Sequence, residues 1–162
     1  MLVISKTAKV SRYADIEDST RGSRIVIGRC VVIDSFVKIK PVGGSGDVMI
    51  GEGSYINAGT VIFSGNGVII GKNVLIAPCC SLVPVNHKYK DKNRTIIEQR
   101  FSESRGGIVI GDDVWIGSGT TVLDGSFIGT GAVVGAGSLV RGELKPYCVY
   151  AGNPLKQIGE RR

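Results

Sequence analysis

The chain contains one histidine, His87, at the start of a long polar segment. An imidazole ordinarily titrates near pH 6.5, which suits a general base that removes one proton at neutral pH. A hydroxyl or amine that attacks an activated acyl group needs one such proton removed. His87 is therefore the first candidate for catalysis, and the chemistry it predicts is group transfer assisted by a single base.

The four cysteines offer a second kind of chemistry, a covalent acyl intermediate. Cys79 and Cys80 are adjacent, so on a strand their side chains point to opposite faces. We expect Cys80 to point inward, and Cys79 has no second histidine to activate it. Direct transfer without a covalent intermediate is therefore favoured. The cysteine spacings fit neither a metal site nor a disulfide framework, which predicts reduced thiols.

Basic side chains outnumber acidic ones, which gives a net charge of +6. The densest basic group consists of Lys88, Lys90, Lys92 and Arg94, in the same polar segment as the histidine. Because there is no basic helix and no recognised nucleic-acid motif, we do not expect nucleic acid as a partner. The group either contacts a phosphate-bearing cofactor or a charged sugar nucleotide, or it belongs to a solvated loop.

The length of 162 residues fits one domain, which we predict over residues 1–162. No apolar run reaches the roughly 18 residues that a membrane helix needs. The N-terminal stretch MLVISKTAKV lacks the basic start and the long apolar run of a signal peptide. Together with the reduced thiols, these features predict a cytoplasmic protein without a membrane span.

An aliphatic residue recurs at every sixth position over most of the chain. In the second half the series is unbroken and comprises Ile110, Ile116, Val122, Ile128, Val134 and Val140. Earlier the same spacing occurs in triplets, which are Ile4, Val10, Ile16; Ile27, Ile33, Ile39; Ile50, Ile56, Ile62; and Ile70, Ile76, Leu82. Four places after the second-half aliphatics lie mostly small residues, namely Val114, Thr120, Ser126, Ala132, Ser138 and Leu144. A glycine often follows the aliphatic directly, as in Gly28, Gly51, Gly71, Gly111, Gly117, Gly129 and Gly135.

A period of six predicts a parallel β-helix. Six residues would turn an α-helix by about 600°, which moves the aliphatic off any single face. Short strands that bend at fixed intervals keep it inward, and three bends close a triangular coil. We predict an all-β fold of about six coils, interrupted by insertions near 22–26 and 45–49, with the following glycines permitting the bends. A β-sandwich would instead show period-two alternation.

The repeat breaks after Leu82 and resumes at Ile110. The intervening segment, 84–108, is polar and crowded with charge. Loops longer than about 12–15 residues inside a compact domain usually serve a function or are disordered. We therefore predict a projecting active-site loop over 84–108, with His87 at its root and facing a cleft.

These features resemble the hexapeptide-repeat acyltransferases, particularly the branch of galactoside and maltose acetyltransferases. The segment Ile70–Pro78 is similar to that branch's own sequence, and His87 follows Ile70 at the same spacing as its catalytic histidine. Val114–Ser118 resembles the family's V-W-I-G segment, and Ala151–Lys156 resembles its A-G-x-P-[AC]-[KR] segment. The resemblance covers nearly the whole chain and implies a left-handed β-helix.

The resemblance also implies roles for particular residues. It makes His87 the catalytic base and gives Asn57, one coil earlier, a place in the acceptor site across a subunit boundary. It implies a short C-terminal cap over about 152–162. Gly142 stands where relatives carry a lysine, so the neighbouring arginine is expected to take over that contact. The cofactor-binding residues implied are Trp115, Ser118, Ala136, Arg141 and Lys156.

The function implied is an acetyl-CoA-dependent acetyltransferase that needs no metal and forms homotrimers with active sites between subunits. The hexads begin at Ile4, without the helical segment that precedes the solenoid in galactoside- and maltose-type relatives. This favours the compact O-acetyltransferases that modify a sugar or sugar-nucleotide precursor of cell-surface polysaccharide. N-acetylation of a sugar amine and a non-catalytic structural β-helix remain alternatives. A γ-class carbonic anhydrase shares the solenoid, but one histidine cannot supply its zinc ligands.

Overall fold

The computed structural model describes all residues, 1–162, as a stack of short strands with one helical turn. The first nine strands are β1 (Leu2–Ile4), β2 (Lys9–Val10), β3 (Asp15–Ile16), β4 (Ile25–Ile27), β5 (Val32–Ile33), β6 (Lys38–Lys40), β7 (Val48–Ile50), β8 (Tyr55–Ile56) and β9 (Val61–Phe63). The next elements are β10 (Val68–Ile70), β11 (Leu75–Ile76), β12 (Ser81–Val83), α1 (Ile96–Gln99), β13 (Ile108–Ile110), β14 (Trp115–Ile116) and β15 (Thr121–Leu123). The last are β16 (Ser126–Ile128), β17 (Val133–Val134), β18 (Leu139–Val140), β19 (Glu143–Leu144), β20 (Cys148–Ala151) and β21 (Lys156–Glu160).

Every third strand pairs in parallel, so the chain winds through three sheets in turn. Sheet A runs β1-β4-β7-β10-β13-β16-β19, sheet B runs β2-β5-β8-β11-β14-β17-β20, and sheet C runs β3-β6-β9-β12-β15-β18. Three successive strands make one coil, which gives six complete coils and a partial seventh. The final strand, β21, turns back and pairs antiparallel with β20. The predicted left-handed parallel β-helix of about six coils is confirmed.

The interior is filled by the repeated aliphatics. From Ile27 to Val140 every member of the predicted series is at most 3% exposed, and the residues four places after the second-half members are buried as well. Burial of one such aliphatic side chain contributes about 1.5–3 kcal/mol. The exceptions lie in the first coil, where Ile4 is 41% exposed and Val10 and Ile16 are only partly buried, because that coil has a neighbour on one side only. The sixfold spacing thus encodes a continuous core.

The bends do not depend on the glycine that follows each aliphatic, and that prediction was wrong. None of those seven glycines has a positive φ. At most corners from the second coil onward the left-handed residue is the third after the aliphatic, such as Gly119 with φ of +68°. The glycine directly after the aliphatic instead allows coils to approach. A Cβ on Gly51 would lie 2.5 Å from the carbonyl oxygen of Gly71.

Two further details of the repeat differ from expectation. The insertions occupy 17–24 and 41–47, slightly earlier than predicted, because Ile25 and Val48 already lie buried in strands. The last coil is two residues short: Leu144 pairs with Ile128 and so takes a main aliphatic position. The shortening brings the chain round early, before β20 and β21 close the end of the stack.

No helix in the structure is both long enough and apolar enough to cross a membrane. The single helix, α1, has four residues and lies in the segment between β12 and β13. That segment covers residues 84–107, because Ile108 already begins β13. We refer to 84–107 as the projecting loop.

Candidate active site

The root of the projecting loop is a short antiparallel pairing that places His87. The backbone N–H of Lys88 donates to the carbonyl of Arg100 at 3.0 Å, and the N–H of Ser102 donates to the carbonyl of Asn86 at 2.8 Å. His87 therefore lies opposite Phe101. His87 is the fourth residue after the end of β12, so the histidine is fixed relative to the solenoid by both legs of the loop.

The imidazole of His87 is exposed and free of hydrogen bonds to the protein. Its ring lies 4.7 Å from the ring of Phe101, centroid to centroid, with 42° between the planes. The backbone N–H of His87 donates to the side-chain oxygen of Asn86 at 2.9 Å. Both ring nitrogens can therefore reach a bound molecule. The side chain lines a cavity of about 690 Å³ that lies within the projecting loop.

The interior of the loop is organised by Gln99, the last residue of α1. Its side-chain oxygen accepts the N–H of Asp91 at 3.1 Å, and its amide donates to the carbonyls of Asp91 and Arg94 at 2.9 and 3.1 Å. Glu98 accepts the N–H of Thr95 at 3.0 Å, and hydrogen bonds from Thr95 lower the pKa of Glu98. These hydrogen bonds stabilise one backbone conformation in a loop that has no apolar core.

The returning leg of the loop is held by Asp124, which follows β15. Its carboxylate accepts the N–H groups of Arg105 and Gly107 at 2.8 and 2.9 Å, and the side-chain amide of Asn66 at 3.1 Å. Sequence reasoning missed both Asp124 and Gln99. In the sequence, Asp124 is only a polar residue at a corner beside the loop, and Gln99 is only an uncharged polar residue within the loop. Neither pattern distinguishes a supporting residue from its neighbours.

Four of the predicted site residues share the corner between sheets B and C. Asn57 lies there half-buried, and its side-chain amide donates to the carbonyl of Ile76 at 2.7 Å, which leaves the side-chain oxygen available. Ser118 and Ala136 lie on successive coils of this corner, where the N–H of Gly137 donates to the carbonyl of Ser118. Lys156 joins them through its pairing with Ala151.

Trp115 points outward from sheet B. It is 51% exposed and stands between Leu75 and Val133 on the neighbouring coils. Together with Arg161 it lines a shallow cleft of about 380 Å³. Its ring therefore offers a wall beside the corner that holds Ser118.

Arg141 lies apart from that corner, at the other end of sheet C. It follows β18, is exposed and forms no ion pair. The next residue, Gly142, has a φ of +76°, a conformation that favours glycine over lysine. The positive φ thus accounts for glycine at this position.

Within one chain six of the seven predicted residues, all except Trp115 on sheet B, fall into two groups at opposite ends of the strands of sheet C. Asn57, Ser118, Ala136 and Lys156 lie where the chain enters that sheet, whereas His87 and Arg141 lie where it leaves. The single chain therefore does not bring His87 and Asn57 together.

The two adjacent cysteines lie in different environments. Burial raises the pKa of the Cys80 thiol, which donates to the carbonyl of Gly117 at 3.3 Å, so this sulfur stays protonated and enclosed. Cys79 is exposed at the corner between sheets B and C, with no histidine beside it. No three side chains of the metal-ligating types His, Cys, Asp and Glu come together anywhere in the structure.

Comparison with known proteins places these features in a family. Residues 107–142 match the model described as bacterial transferase hexapeptide (six repeats). The acetyltransferase-like protein YJL218W of Saccharomyces cerevisiae is 32% identical, over 98% of this chain and 82% of its own length. The chain belongs to the hexapeptide-repeat acyltransferase family. The family predicted from the sequence is thus confirmed.

Two further members are informative. Galactoside O-acetyltransferase of Escherichia coli is 36% identical over 70% of this chain, and the match spans 54% of that enzyme. The crystal structure of a variant of AntD, an N-acyltransferase from Bacillus cereus, superposes with a TM-score of 0.82, covers 99% of this chain and 84% of its own, and is 28% identical. That structure is a complex with dTDP-4-amino-4,6-dideoxyglucose and coenzyme A.

Proposed function

We propose that this protein transfers an acetyl group from acetyl-CoA to a hydroxyl of a sugar, by direct transfer with His87 as general base. The sugar we propose is a precursor of cell-surface polysaccharide, free or attached to a nucleotide. The observation that carries the proposal is the position of His87. His87 is the only histidine, stands at the root of the projecting loop, makes no side-chain hydrogen bond to the protein and lines a cavity of about 690 Å³.

The proton path follows from that geometry. A ring nitrogen of His87 takes the proton of the acceptor hydroxyl as the hydroxyl oxygen attacks the acyl carbon. The resulting imidazolium then returns the proton to the departing sulfur. Contact with the ring of Phe101 and the pairing at the loop root hold the imidazole in place throughout. Backbone N–H groups stabilise the oxyanion of the tetrahedral intermediate.

Residues at the corner between sheets B and C fit the acyl donor. Acetyl-CoA supplies an activated thioester, so the protein needs only to bind it and to provide a base. Small side chains, including Gly117, Ser118 and Ala136, leave the corner open, and Trp115 walls one side. Lys156 is exposed and forms no ion pair, so its ammonium is free to contact a phosphate.

Two copies of the chain complete this site. The loop of one chain contributes His87, and the corner of a neighbour contributes Asn57, whose side-chain oxygen accepts a hydrogen bond from the acceptor. A homotrimer with three equivalent sites satisfies this arrangement. The separation of the two residues at opposite ends of sheet C is what supports it.

N-acetylation of an amino sugar is the second candidate. The relative AntD is an N-acyltransferase whose complex contains an amino sugar attached to dTDP. The same base serves an amine, since the attacking nitrogen also loses a proton. O-acetylation and N-acetylation therefore require the same residues of this protein and differ only in the acceptor group of the substrate.

The experiment is thiol release from acetyl-CoA with a panel of sugars, amino sugars and sugar nucleotides. We expect one acceptor class to support release and His87→Ala to lower the rate at least about 100-fold, the contribution of a general base. Ile97→Ala is the matched control, because Ile97 is 77% exposed on the same loop and does not line the cavity. A His87→Ala rate equal to that of the wild type would refute the proposed base. Failure of acetyl-CoA to bind would favour a structural subunit.

A further inference from the structure

The cavity beside His87 has a lining that a neutral sugar does not require. Its volume of about 690 Å³ lies within the usual range for small-molecule sites, but those sites are mostly apolar. Here Tyr89 is the one hydrophobic residue in the lining. The cationic lining residues are Lys88, Lys90, Arg94 and Arg105, whereas the carboxylates are those of Asp91 and Glu103.

The four cations have no carboxylate partner. None of the ion pairs in the structure includes a residue of this cavity. The carboxylate of Asp91 instead accepts the N–H of Asn93 at 3.0 Å, and Arg94 donates to the carbonyl of Glu98 at 2.8 Å. Positive charges gathered in one cleft create a field that attracts an anion.

The backbone that carries these side chains is fixed. Gln99 bonds to both Asp91 and Arg94, the N–H of Lys88 is part of the loop root, and the N–H of Arg105 is held by Asp124. A binding site whose backbone is already ordered loses less entropy when a ligand binds. The cavity is therefore arranged for an anion before the anion arrives.

The position of His87 identifies the molecule to which the anion belongs. This step rests on the proposed function, in which His87 touches the acceptor. Because His87 lines the same cavity, an anion held there is attached to the acceptor. We propose that Lys88, Lys90, Arg94 and Arg105 bind the phosphate groups of a phosphorylated sugar acceptor, of which a nucleoside diphosphate sugar is the chief example.

Titration calorimetry on the purified protein tests this assignment, with dTDP, inorganic pyrophosphate and acetyl-CoA as probes. Hydrogen bonds between charged groups are strong. We therefore expect each of Lys88→Gln and Arg94→Gln to lower the affinity for dTDP and for pyrophosphate about tenfold. Acetyl-CoA affinity is expected to stay unchanged. Lys92→Gln is the matched control, because Lys92 belongs to the same loop but not to the cavity lining. It is expected to bind all three probes as the wild type does.

The arms separate the possible sources of phosphate. Binding of both probes supports recognition of the diphosphate itself, and binding of dTDP alone supports a nucleotide-bearing acceptor, in each case if Lys88→Gln weakens it. If neither dTDP nor pyrophosphate binds, the assignment is overturned. If Lys92→Gln loses as much affinity for dTDP and pyrophosphate as the cavity variants do, the charge of the loop as a whole attracts the probes and the assignment is overturned. If Lys88→Gln and Arg94→Gln weaken only acetyl-CoA binding, these side chains contact the phosphates of the donor and the assignment is also overturned. None of these titrations depends on turnover, so failure of the His87 base in thiol release is a separate result.

Discussion

The coils and the projecting loop of this protein are stabilised in different ways. In the coils, aliphatic side chains stack on one another and are almost fully enclosed. In the loop, only Gln99 is buried between its root residues. Hydrogen bonds that Gln99 donates and accepts, and that the Asp124 carboxylate accepts, replace an apolar core. The comparison shows how one chain separates stability from chemistry, because groups that must meet a substrate cannot also be buried.

The largest expected effect on stability comes from truncating one of the stacked, buried aliphatic side chains. Ile76 is fully buried in the middle of the stack, so Ile76→Ala is expected to lower the free energy of unfolding by about 2–5 kcal/mol. The matched change in the loop, Ile97→Ala, removes the same atoms from an exposed side chain and is expected to stay within about 0.5 kcal/mol. Urea unfolding followed by circular dichroism measures both. Equal losses would break the distinction between the two regions.

The next effect comes from the spacing between coils. Gly51→Ala places a methyl group 2.5 Å from the backbone oxygen of Gly71, and backbone cannot move aside cheaply. We expect a loss of about 1–3 kcal/mol, as for other overpacked positions. Gly159→Ala, whose new Cβ would lie 3.8 Å from Val149, is the control and is expected to be tolerated. If both variants have the same thermal midpoint, close approach of the coils is not what requires glycine at position 51.

A third change weakens the loop alone. Gln99→Ala removes three hydrogen bonds at a cost of about 0.5–1.5 kcal/mol each, all within the loop. We expect faster proteolytic cleavage within 84–107, while the thermal midpoint of the coils changes little because the stacked core is untouched. Limited proteolysis with mass spectrometry measures the first and calorimetry the second. A large drop in the midpoint would mean that the loop and the coils unfold as one unit.

The smallest effect is electrostatic and comes from an ion pair between the two insertions, Arg24 in 17–24 and Asp47 in 41–47. The N–H and the guanidinium of Arg24 lower the pKa of Asp47. Because the folded pKa is depressed, the ionised carboxylate stabilises the fold above its unfolded pKa, near 3.9, and that contribution is lost as the pH falls through the folded pKa. Asp47→Asn is thus expected to flatten the decline of the thermal midpoint below about pH 4. Glu143→Gln, which breaks no ion pair, serves as control, and an unchanged slope in Asp47→Asn would contradict the assignment.

Much of the fold could be predicted from the sequence because the repeat is local and its physical cause is simple. Each coil repeats the same inward aliphatic, so the period alone gives the number of coils and their core. The assignment of the bends to the wrong glycine shows the limit of this reasoning. A glycine that relieves a clash with the next coil and a glycine that adopts positive φ look identical in a sequence, and only the stacking distinguishes Gly51 from Gly119.

The site shows the same division. The sequence by itself determined the all-β solenoid, the place where it is interrupted and the single histidine available as a base, since these depend on residue type and spacing. Tertiary structure decided which residues are neighbours: it put Asn57 and His87 at opposite ends of sheet C, made Gln99 and Asp124 the supports of the loop, and gathered Lys88, Lys90, Arg94 and Arg105 around one cavity. The physical reason is that the loop lacks a repeating apolar contact, so its path is set by individual hydrogen bonds. Those of Gln99 are made within the loop, and those of Asp124 come from the next coil.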